Sequence, residues 1–494
     1  MDPSARASKM RWAGTGNAML RIVACMRCRT HSINPICFPS AFRDVTRISP
    51  DLILACTCIL TLLALQSCTK TSPPANRVIL TIVDQSWVDK DSQRQLNEEL
   101  AQFTKQSGIE VQVVPTPESA VEQLKTWRNL LERGAEVPDV YAIDVIWPAI
   151  LADNLVDLRA YLPAQEISAH FPELIANDTV NGRLVALPYN MSEGLLFYRV
   201  DLLRKYGYRV PPKTWQELEA MAKRIQNGER ATGNKDFWGY VWQGAPSEAL
   251  TCNALEWQIS EGGGRIVDKD GKVTVNNPQT IRAWEMGARW VGSISPPGVI
   301  AYKEWDAFNI WQAGQAAFMR NWSGAYVAAK SQSSHTRDQF DIAPLPRGSA
   351  GIGAVLGGNS YAVSQHSLHK KEAVMLVRFL CGRDEQVRRS RSYAEPPTIP
   401  ELYNYPELLA RNPYFSSVLE VFRNGVASRP STSVGKMYPD VSRSYYEAVN
   451  RVLSRKRTAA QAAAELQDEL VTMLKAPRTD ANANRYQGSS NALR

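Results

Sequence analysis

The first third of the chain alternates between two patterns of apolar residues. Apolar residues at every second position predict short strands, which lie at residues 78–83, 109–114 and 139–145. Between the first two strands, apolar residues recur at helical spacing, and Gly108 is expected to end that helix. This order predicts a β-α-β unit, whose crossover is right-handed and whose strands are parallel.

The stretch around residue 190 has two apolar runs separated by polar residues. Arg183 to Leu187 predicts a strand after the turn at Asn181-Gly182. Pro188 is expected to end this strand, because proline donates no hydrogen bond to a ladder. Gly194 to Tyr198 predicts the next strand. Two strands with a short polar crossing suit a hinge between two lobes, although an ordinary strand-loop-strand has the same pattern.

The second half of the chain continues to alternate between helices and strands. Thr214 and Glu217 have the spacing of a capping box, which predicts the start of a helix, and Gly228 is expected to end it. Further strands are predicted at residues 237–242, 340–346 and 357–364, and further helices at 249–260, 284–291, 369–381 and 458–474.

The length and charge of the chain narrow the classes of function. A chain of 494 residues has room for two sizeable lobes and some appendages. The formal net charge is +8, of which residues 1–67 contribute +5 through eight basic and three acidic side chains. The remaining chain is nearly neutral, so we expect no nucleic-acid partner.

Twelve of the 13 tryptophans follow residue 67, and such an excess suits a site that stacks on sugar rings.

The N-terminal region has the pattern of a lipoprotein leader. Leu52 to Leu65 is an apolar run of 14 residues, which favours a signal peptide because a membrane span needs roughly 20. The following Gln-Ser-Cys68 completes a motif similar to a lipoprotein cleavage site. We therefore expect Cys68 to carry lipid, with a secreted protein and a chance cysteine as the alternative. Because leaders are short, we expect translation to start near Val45, which leaves residues 1–44 untranslated.

Motifs for catalysis and for metal binding are weak. The sequence contains neither G-x-S-x-G nor H-E-x-x-H, and Asn234 follows Gly233 where a P-loop needs lysine. His366 and His369 lie in a polar loop without a third ligand nearby, so we expect no metal and no cofactor. A glycosidase needs two carboxylates, but 49 acidic residues offer many pairs and no spacing singles one out.

Three short motifs occur in order between residues 182 and 218. They are Gly182 to Pro188 (G-R-L-V-A-L-P), Leu195 to Arg199 (L-L-F-Y-R) and Pro212 to Leu218 (P-K-T-W-Q-E-L). With a fourth run at Gly314 to Met319, the chain resembles the family 1 extracellular solute-binding proteins, which are the sugar-binding subunits of bacterial ABC importers. The resemblance covers about residues 77–476.

The resemblance implies an α/β fold of the two-lobe periplasmic-binding-protein class (type II), in which a hinge connects the lobes and each lobe is a mostly parallel sheet flanked by helices. The expected division is 1–67 leader and lipoprotein signal peptide, 68–76 linker, 77–188 lobe 1, 189–339 lobe 2, 340–395 return to lobe 1, 396–476 return to lobe 2, and 477–494 disordered tail. The resemblance also implies an extracytoplasmic monomer, lipid-anchored to the cell membrane or periplasmic, that delivers a small-molecule sugar to ABC transporter permease subunits. Ile143 to Leu158 resembles trehalose and maltose binders.

Sugar recognition needs polar side chains for the hydroxyls at the edge of the ring and aromatic side chains for the C–H faces. The edge candidates are Asp84, Gln85, Asp144, Asn190, Glu193, Gln243, Glu248, Asp306, Asn321, Asn359 and Arg429. The face candidates are Trp87, Trp147, Tyr189, Trp242, Trp305 and Trp322. Gly357 and Gly358 would let the backbone approach the ligand closely. The resemblance ranks Asp144, Trp322 and Arg429 highest, because they fall at family positions that commonly line the cleft.

Two alternative functions remain open at this point. An extracellular glycoside hydrolase or lyase could also have a tryptophan-rich cleft, and it would convert the sugar that a binding protein returns unchanged. The same fold could instead bind an amino-acid derivative, a polyamine or a glycerol phosphate ester. A phosphate ligand would favour clustered basic residues, and the cleft candidates supply mainly Arg429.

Overall fold

Strands and helices alternate through the part of the chain that the computed structural model describes, residues 78–85 and 90–475. The strands are β1 (Ile79–Val83), β2 (Glu110–Val113), β3 (Val140–Asp144), β4 (Thr179–Val180), β5 (Arg183–Leu184), β6 (Leu187–Arg199), β7 (Trp238–Val241), β8 (Ala316–Trp322), β9 (Phe340–Pro344), β10 (Ala354–Val363) and β11 (Val426–Ala427). Those predicted at residues 78–83, 109–114, 139–145 and 237–242 correspond to β1, β2, β3 and β7.

The helices cover the outside of these strands. They are α1 (Lys90–Ser107), α2 (Ala120–Glu132), α3 (Pro148–Leu151), α4 (Ala164–Ser168), α5 (Pro172–Asn177), α6 (Val200–Lys205), α7 (Trp215–Ala231), α8 (Glu248–Ser260), α9 (Pro278–Trp290), α10 (Glu304–Gln312), α11 (Ala325–Ala329), α12 (Lys370–Cys381), α13 (Arg383–Tyr393), α14 (Pro406–Arg411), α15 (Phe415–Asn424), α16 (Ser431–Val434), α17 (Tyr438–Leu453) and α18 (Ala459–Lys475). Short 3-10 helices lie at Ala152–Asn154, Leu158–Ala160, Pro297–Ala301, Pro400–Asn404 and Gly435–Met437.

The main sheet is mixed, with the strand order β2-β1-β3-β10-β6-β8-β7. β1 is parallel to β2 and β3, as predicted for the β-α-β unit. β10, however, is antiparallel to β3 and β6, and β6 is antiparallel to β8 and β9. Parallel pairs therefore predominate in the first lobe, as expected, whereas the second lobe has one parallel pair, β7 with β8, and two antiparallel pairs, β6 with β8 and with β9. The chain passes from one lobe to the other in β6 and returns in β10, so these neighbouring strands run in opposite directions.

The two long strands connect the lobes of a hinge-connected, two-lobe type II binding-protein fold. The last residues of β10 pair with β3 and so belong to the first lobe. The second half of β6, from Gly194 onward, pairs with β8, and β8 pairs with β7. The first half of β6 and the middle of β10 pair with each other at the crossing between the lobes.

Strand β6 is continuous over 13 residues, where the sequence predicted two strands and a polar crossing. Pro188, which was expected to end the first strand, is the second residue of β6 and lies opposite Ser360 of β10. The pairing register shifts between Asn359 and Ser360, and such an irregularity accommodates a residue without an N–H group. The polar residues after Pro188 are therefore part of a strand and have fixed, alternating directions.

Strand β9 belongs to the second lobe, although the expected boundary between the lobes placed it in the first. Residues 340–395 were expected to return to the first lobe, but β9 pairs with Leu195 to Arg199 of β6, in the second lobe. The chain crosses back inside β10, where Leu356 pairs with Glu193 and the later residues pair with β3. The expected segments 1–67, 68–76 and 477–494 lie outside the described residues.

Helix α7 begins where the capping pattern predicts and ends later. The Thr214 Oγ1 accepts a hydrogen bond from the backbone N–H of Glu217 at 3.1 Å. Gly228 was expected to end the helix, but it lies within α7, and a Cβ at this position would be 2.1 Å from a ring carbon of Tyr206. Glycine is therefore needed there for close packing rather than for termination.

Most tryptophans of the second lobe are core residues. The largest apolar cluster contains Trp215, Trp257, Trp284 and Trp290, all almost completely buried. Burial of aromatic side chains of this size is a major source of stability in a domain core. Within residues 78–85 and 90–475, no helix is both long and apolar enough to cross a membrane.

Candidate functional site

The middle of β10 lies between the end of β3 and the first half of β6 at the crossing between the lobes. Asn359 lies opposite Asp144, the last residue of β3, and opposite Asn190 of β6. The Asn190 Oδ1 accepts a hydrogen bond from the Asn359 N–H at 2.8 Å. Two amides and one carboxylate therefore gather where the first lobe meets the hinge.

Two adjacent glycines in β10 allow the strands and a tryptophan to approach closely. Gly358 has a φ of +120°, and a Cβ there would lie 2.5 Å from the Asn190 carbonyl oxygen. At Gly357, a Cβ would lie 2.6 Å from the Ser192 Oγ and 3.0 Å from the Trp322 Cζ3. Both positions therefore exclude a side chain, which leaves bare backbone beside Trp322.

Arg429 links the two lobes at the same place. Its Nη1 donates to the Glu248 Oε1 at 2.7 Å, and its Nη2 donates to the Leu356 carbonyl of β10 at 3.1 Å. The Asp144 Oδ1 lies 3.8 Å from the Arg429 Nη2. Only 5% of the arginine side chain is exposed, so its charge is offset by these two carboxylates rather than by solvent.

Glu248 is held in the first turn of α8 by three donors. Besides Arg429, the Tyr438 hydroxyl donates to its Oε1 and the Ser442 Oγ donates to its Oε2, the latter at 2.6 Å. A carboxylate at a helix N-terminus is favoured by the partial positive charge there. Glu248 is nevertheless about one-third exposed, so one side of the carboxylate faces solvent.

The surroundings of Asp144 have opposing effects on its ionisation. Burial raises the pKa of Asp144, while the charge of Arg429 and a hydrogen bond from the Ile146 N–H act in the opposite direction. That N–H donates to the Asp144 Oδ1 at 3.1 Å. A third of the Asp144 side chain is exposed, and its contacts with the Ile146 N–H and with the Arg429 Nη2 both involve the Oδ1.

Trp322 ends β8 and lies across the hinge strands. It is half-buried and pairs with Gly194 of β6, and the guanidinium of Arg320 lies 4.0 Å from its ring centroid. The site thus combines a carboxylate pair, an arginine, amides and a fixed aromatic ring. Such a set suits hydrogen bonding to several hydroxyls and stacking on a C–H face.

The structure brings together eight of the predicted residues. These are Asp144, Asn190, Glu248, Trp322, Gly357, Gly358, Asn359 and Arg429. The three residues ranked highest from the resemblance are among them. Their role in binding a ligand stays a prediction.

Tyr189 lies elsewhere and is engaged by other side chains. Its hydroxyl donates to the Glu99 Oε2 at 3.0 Å. The guanidinium of Arg389 lies 3.9 Å from its ring centroid and covers one face of the ring. Tyr361 packs edge-on at 4.8 Å. The prediction that Tyr189 stacks on a sugar is not supported, because these three residues surround it.

Two predicted stacking tryptophans are core residues. Trp147 is 3% exposed and packs edge-on against Trp127 with ring centroids 5.0 Å apart. Trp242 is completely buried, and its Nε1 donates to the Ser295 Oγ at 3.0 Å. Buried indoles with satisfied or enclosed edges cannot present a face to a ligand, so these two predictions were wrong.

Trp305 and Asp306 belong to the start of α10. Trp305 is 68% exposed and packs only edge-on against Phe308 among the aromatic contacts of the described residues. The Asp306 Oδ2 accepts a hydrogen bond from the Lys303 N–H at 2.8 Å, which is the role of an acidic residue in a capping box. Asp306 therefore stabilises the helix start. Among the described residues, no hydrogen bond, ion pair or ring contact joins Trp305 or Asp306 to the β10 cluster.

Four further edge candidates bind to other parts of the protein. The Gln243 Nε2 donates to the Arg320 carbonyl at 2.9 Å, and the Asn321 Oδ1 accepts from the Trp322 N–H at 2.9 Å. The Asp84 Oδ2 accepts from the Tyr361 hydroxyl at 2.5 Å. The backbone carbonyl of Gln85 accepts from the Gln123 Nε2 at 3.4 Å, while the Gln85 Nε2 is buried and has no hydrogen-bond partner among the described residues. Trp87 and Cys68 lie outside the described residues.

Sequence reasoning missed several neighbours of the site. Ser192, Leu356 and Tyr438 contact its members, and Arg320 and Glu256 lie behind Trp322. Alternation along β6 could have indicated Ser192, which shares a face with Asn190. No sequence pattern indicated the others, because their contacts come from distant segments.

Glu193 faces away from this cluster, on the other side of β6. It is completely buried, and its carboxylate oxygens accept no well-formed hydrogen bond from the described residues. Burial raises the pKa of Glu193 to about 8, against the opposing effects of Ser323 and Arg320. Burial raises the pKa of Tyr403 and Tyr414, and the charge of Glu193 raises it further, so these tyrosines are also neighbours of Glu193.

We expect Glu193 to make stability depend on pH. The folded protein keeps this proton up to about pH 8, whereas the unfolded chain releases it near 4.5. The contribution of Glu193 to the free energy of unfolding therefore falls as pH rises from about 4.5 to about 8. Glu193→Gln should unfold at higher urea concentration than the parent at pH 8, and at nearly the same concentration at pH 5.

The control for this prediction is Glu447→Gln, which removes an exposed carboxylate of α17. Burial also raises the pKa of Glu99 to about 8, but this effect is common to both proteins and cancels in the comparison. Parallel pH profiles for Glu193→Gln and the parent would show that Glu193 does not titrate in this range.

Two lobes joined by crossing strands, with polar and aromatic side chains at the crossing, define a solute-binding protein. The family model described as bacterial extracellular solute-binding protein matches residues 89–387, more than half of the chain. The chain belongs to this family, as its motifs predicted.

Relatives of the chain agree with this assignment. A probable ABC transporter-binding protein of Deinococcus radiodurans is 44% identical over 369 residues, which are 74% of this chain and 87% of that protein. A probable amino-acid ABC transporter periplasmic-binding protein of Sinorhizobium fredii is 26% identical over 387 residues, 76% of this chain and 84% of that protein. Maltose-bound MalE3 of T. maritima has a TM-score of 0.71 and 34% identity, and the match covers 80% of this chain and 100% of that one.

The family and these relatives are binding proteins of transporters rather than enzymes. The chain is accordingly an extracytoplasmic solute-binding protein, whose partners are a small molecule and the permease of an ABC transporter.

Proposed function

We propose that this protein captures a sugar of disaccharide size, such as trehalose or maltose, between its lobes and delivers it to an ABC importer. The observation that carries the proposal is the cluster of Asp144, Trp322 and Arg429 around the glycines of β10. Carboxylate and guanidinium groups can bind hydroxyls, and the indole can stack on a sugar ring. The likeness to a maltose-bound protein supports the choice of ligand.

The charges of the cluster disfavour an anionic ligand, because one guanidinium faces two carboxylates. Arg429 is bound by Glu248 and approached by Asp144, so its positive charge is already offset within the protein. A phosphate ester would need further cations, because ionised groups in a partly buried site require partners. A neutral sugar needs only hydrogen-bonding groups, which this site supplies.

Binding is proposed to close the lobes about β6 and β10. A sugar that contacts Asp144 in one lobe and Trp322 in the other makes both contacts only when the lobes are closed. The ligand therefore shifts the population toward the closed form by its difference in affinity for the two forms. A shift from mostly open to mostly closed needs roughly 5.5 kcal/mol, and a micromolar ligand supplies about 8.2 kcal/mol in total.

A ligand panel tests the proposed function. The purified chain is titrated with trehalose, maltose, other disaccharides, amino acids and glycerol phosphate esters, with calorimetry for binding and chromatography for the sugar. Saturable heat with one of the disaccharides and an unchanged sugar is the expected result. Turnover above background would indicate a hydrolase or lyase instead. Saturable binding confined to amino acids would agree with the description of the Sinorhizobium fredii relative and overturn the sugar assignment.

The mature protein is proposed to begin at Cys68 and to carry lipid there. Expression in a bacterial host with labelled palmitate should give a labelled product in the membrane fraction, because the Leu-Gln-Ser-Cys68 motif is read by lipoprotein processing. Cys68→Ser should lose both the label and the membrane association, while Cys252→Ser, a buried thiol in α8, should keep both. A labelled Cys68→Ser product would contradict the proposal.

A further inference from the structure

Behind Trp322 lies a buried ion pair that the proposed binding site does not itself use. The Arg320 Nε donates to the Glu256 Oε2 at 2.9 Å, and a second bond joins the Arg320 Nη2 to the Glu256 Oε1. Exposure of the two side chains is 0% and 1%. Glu256 also accepts from the Val355 N–H of β10 at 3.4 Å, so the pair connects α8, β8 and β10.

Stability alone gives a weak reason for this pair. The cost of removing two charges from water can equal or exceed the attraction between them, so apolar residues of similar size are often as stable. The pair also makes Gly194 necessary. A Cβ at Gly194 would lie 2.1 Å from the Glu256 Oε1 and 2.8 Å from the Arg320 Nη2. The hinge strand therefore leaves space for the pair at the residue opposite Trp322.

Arg320 and Trp322 are two residues apart in β8, so their side chains emerge on the same face of the sheet. The guanidinium lies 4.0 Å from the indole centroid, which is the geometry of a close cation–π contact. Gly357 also restricts the position of the ring, because it packs closely against the indole. A Cβ at Gly357 would lie only 3.0 Å from the Trp322 Cζ3. One face of the indole is thus fixed by the protein.

We propose that Arg320 and Glu256 are positioning residues, which hold Trp322 in the orientation that receives the sugar. Glu256 fixes the guanidinium plane with two hydrogen bonds, and the guanidinium supports the ring. A ring held in its bound orientation loses less rotamer freedom on binding, and the affinity is higher for that reason. The proposal rests on the proposed function, because it assumes that Trp322 contacts the ligand.

The test is a double-mutant cycle with Trp322 in the full chain. Arg320→Met together with Glu256→Gln removes both charges, retains volume, and keeps an acceptor for the Val355 N–H. This double replacement should weaken binding of the sugar identified in the panel by roughly three- to tenfold, as expected when the Trp322 side chain has to be ordered on binding. In a Trp322→Ala background, the same replacement should change affinity by less than about twofold, because the residue it positions is absent.

A second readout reports on the ring without ligand. Fluorine NMR of the chain labelled with 5-fluorotryptophan gives one signal for Trp322, which Trp322→Phe identifies by its disappearance. In Arg320→Met with Glu256→Gln, this signal should shift and broaden, since the ring gains alternative orientations. Arg320→Lys keeps the charge but lacks a planar group to stack on, and it should show the same changes in smaller degree.

The control is Arg230→Met, which removes another arginine–tryptophan contact from the same lobe. The Arg230 guanidinium lies 4.3 Å from the Trp238 ring centroid in β7, outside the β10 cluster. Affinity and the Trp322 signal should both be unchanged in this variant.

The other possible results of the double-mutant cycle each contradict either the positioning role or the proposed site. Normal affinity in the double replacement, with weakened binding in Trp322→Ala, would overturn the positioning role and leave the proposed site intact. Equal losses with and without Trp322 would show that the pair acts on the hinge as a whole, which also overturns the proposal. Normal affinity in Trp322→Ala would instead show that the proposed site is wrong. If the double replacement does not fold, Arg320→Lys with an unchanged Trp322 signal and affinity overturns the proposal.

Discussion

Replacement of Arg429 by methionine is expected to lower the free energy of unfolding by about 3–5 kcal/mol, because it leaves two carboxylates without their buried partner. Glu248 would lose its hydrogen bond from Arg429, and Asp144 would lose the nearest positive charge. Both carboxylates are about a third exposed, so the loss should lie toward the lower end of this range. Urea denaturation without ligand measures it.

A second replacement separates lost charge balance from lost packing. In the double variant Arg429→Met with Glu248→Gln, the carboxylate that has lost its arginine partner is replaced by a neutral amide. Part of the lost free energy of unfolding should therefore be recovered. Arg457→Met is the matched control, because Arg457 pairs with Glu465 at the surface and both side chains are about half exposed. Exposed pairs contribute little, roughly 0–1 kcal/mol. An unfolding free energy for Arg429→Met equal to that of Arg457→Met would show that Arg429 does not balance the two carboxylates.

Replacement of Asp144 by alanine is expected to weaken sugar binding by roughly 10- to 100-fold. A hydrogen bond to a charged group contributes about 1.5–3 kcal/mol, and each 1.4 kcal/mol is about a factor of ten in affinity. Asp144→Asn keeps an oxygen that can accept from the Ile146 N–H, so it should fold as well as the parent and lose less affinity than Asp144→Ala. Calorimetric titration of the three proteins measures the difference.

The effect of Asp144 on closure should accompany its effect on affinity. Asp144 belongs to the first lobe, and we expect the sugar to contact it only when the lobes are closed. Asp144→Ala therefore destabilises the closed, ligand-bound form and leaves the open form unchanged. At equal ligand concentration, small-angle scattering should therefore show less compaction for Asp144→Ala than for the parent. Asp270→Ala removes an exposed carboxylate in a loop of the second lobe and should behave like the parent. Affinity and compaction of Asp144→Ala equal to those of Asp270→Ala would remove Asp144 from the site.

The positions of the elements followed closely from the sequence. The period of two in residues 78–83 and 139–145 and the helical period after residue 90 describe short-range geometry, which a strand or helix expresses wherever it packs. The capping residue Thr214 is similarly local, since its oxygen bonds an N–H three residues away. Gly228 and Pro188 misled this reasoning, because long-range partners, Tyr206 and β10, determine what each does.

The direction of a side chain was harder to infer than its position. Trp147, Trp242 and Trp322 all lie at or just after the end of a strand. Nothing in their local sequence distinguishes a core tryptophan from one at a binding site. Trp127 encloses the first and Ser295 binds the second, while the bare backbone of Gly357 leaves the third half-exposed. Whether an indole is core or binding surface depends on neighbours from other segments.

The sequence by itself determined the family, the order of strands and helices, and three residues, Asp144, Trp322 and Arg429, that meet at the hinge. These follow from local patterns and from motifs that resemble those of the solute-binding family. Only the tertiary structure decided which polar residues remain exposed there, because antiparallel pairing of β6 and β10 sets the direction of each side chain. It also revealed Arg320 and Glu256 behind Trp322, since two residues 64 positions apart can be recognised as an ion pair only after the chain has folded.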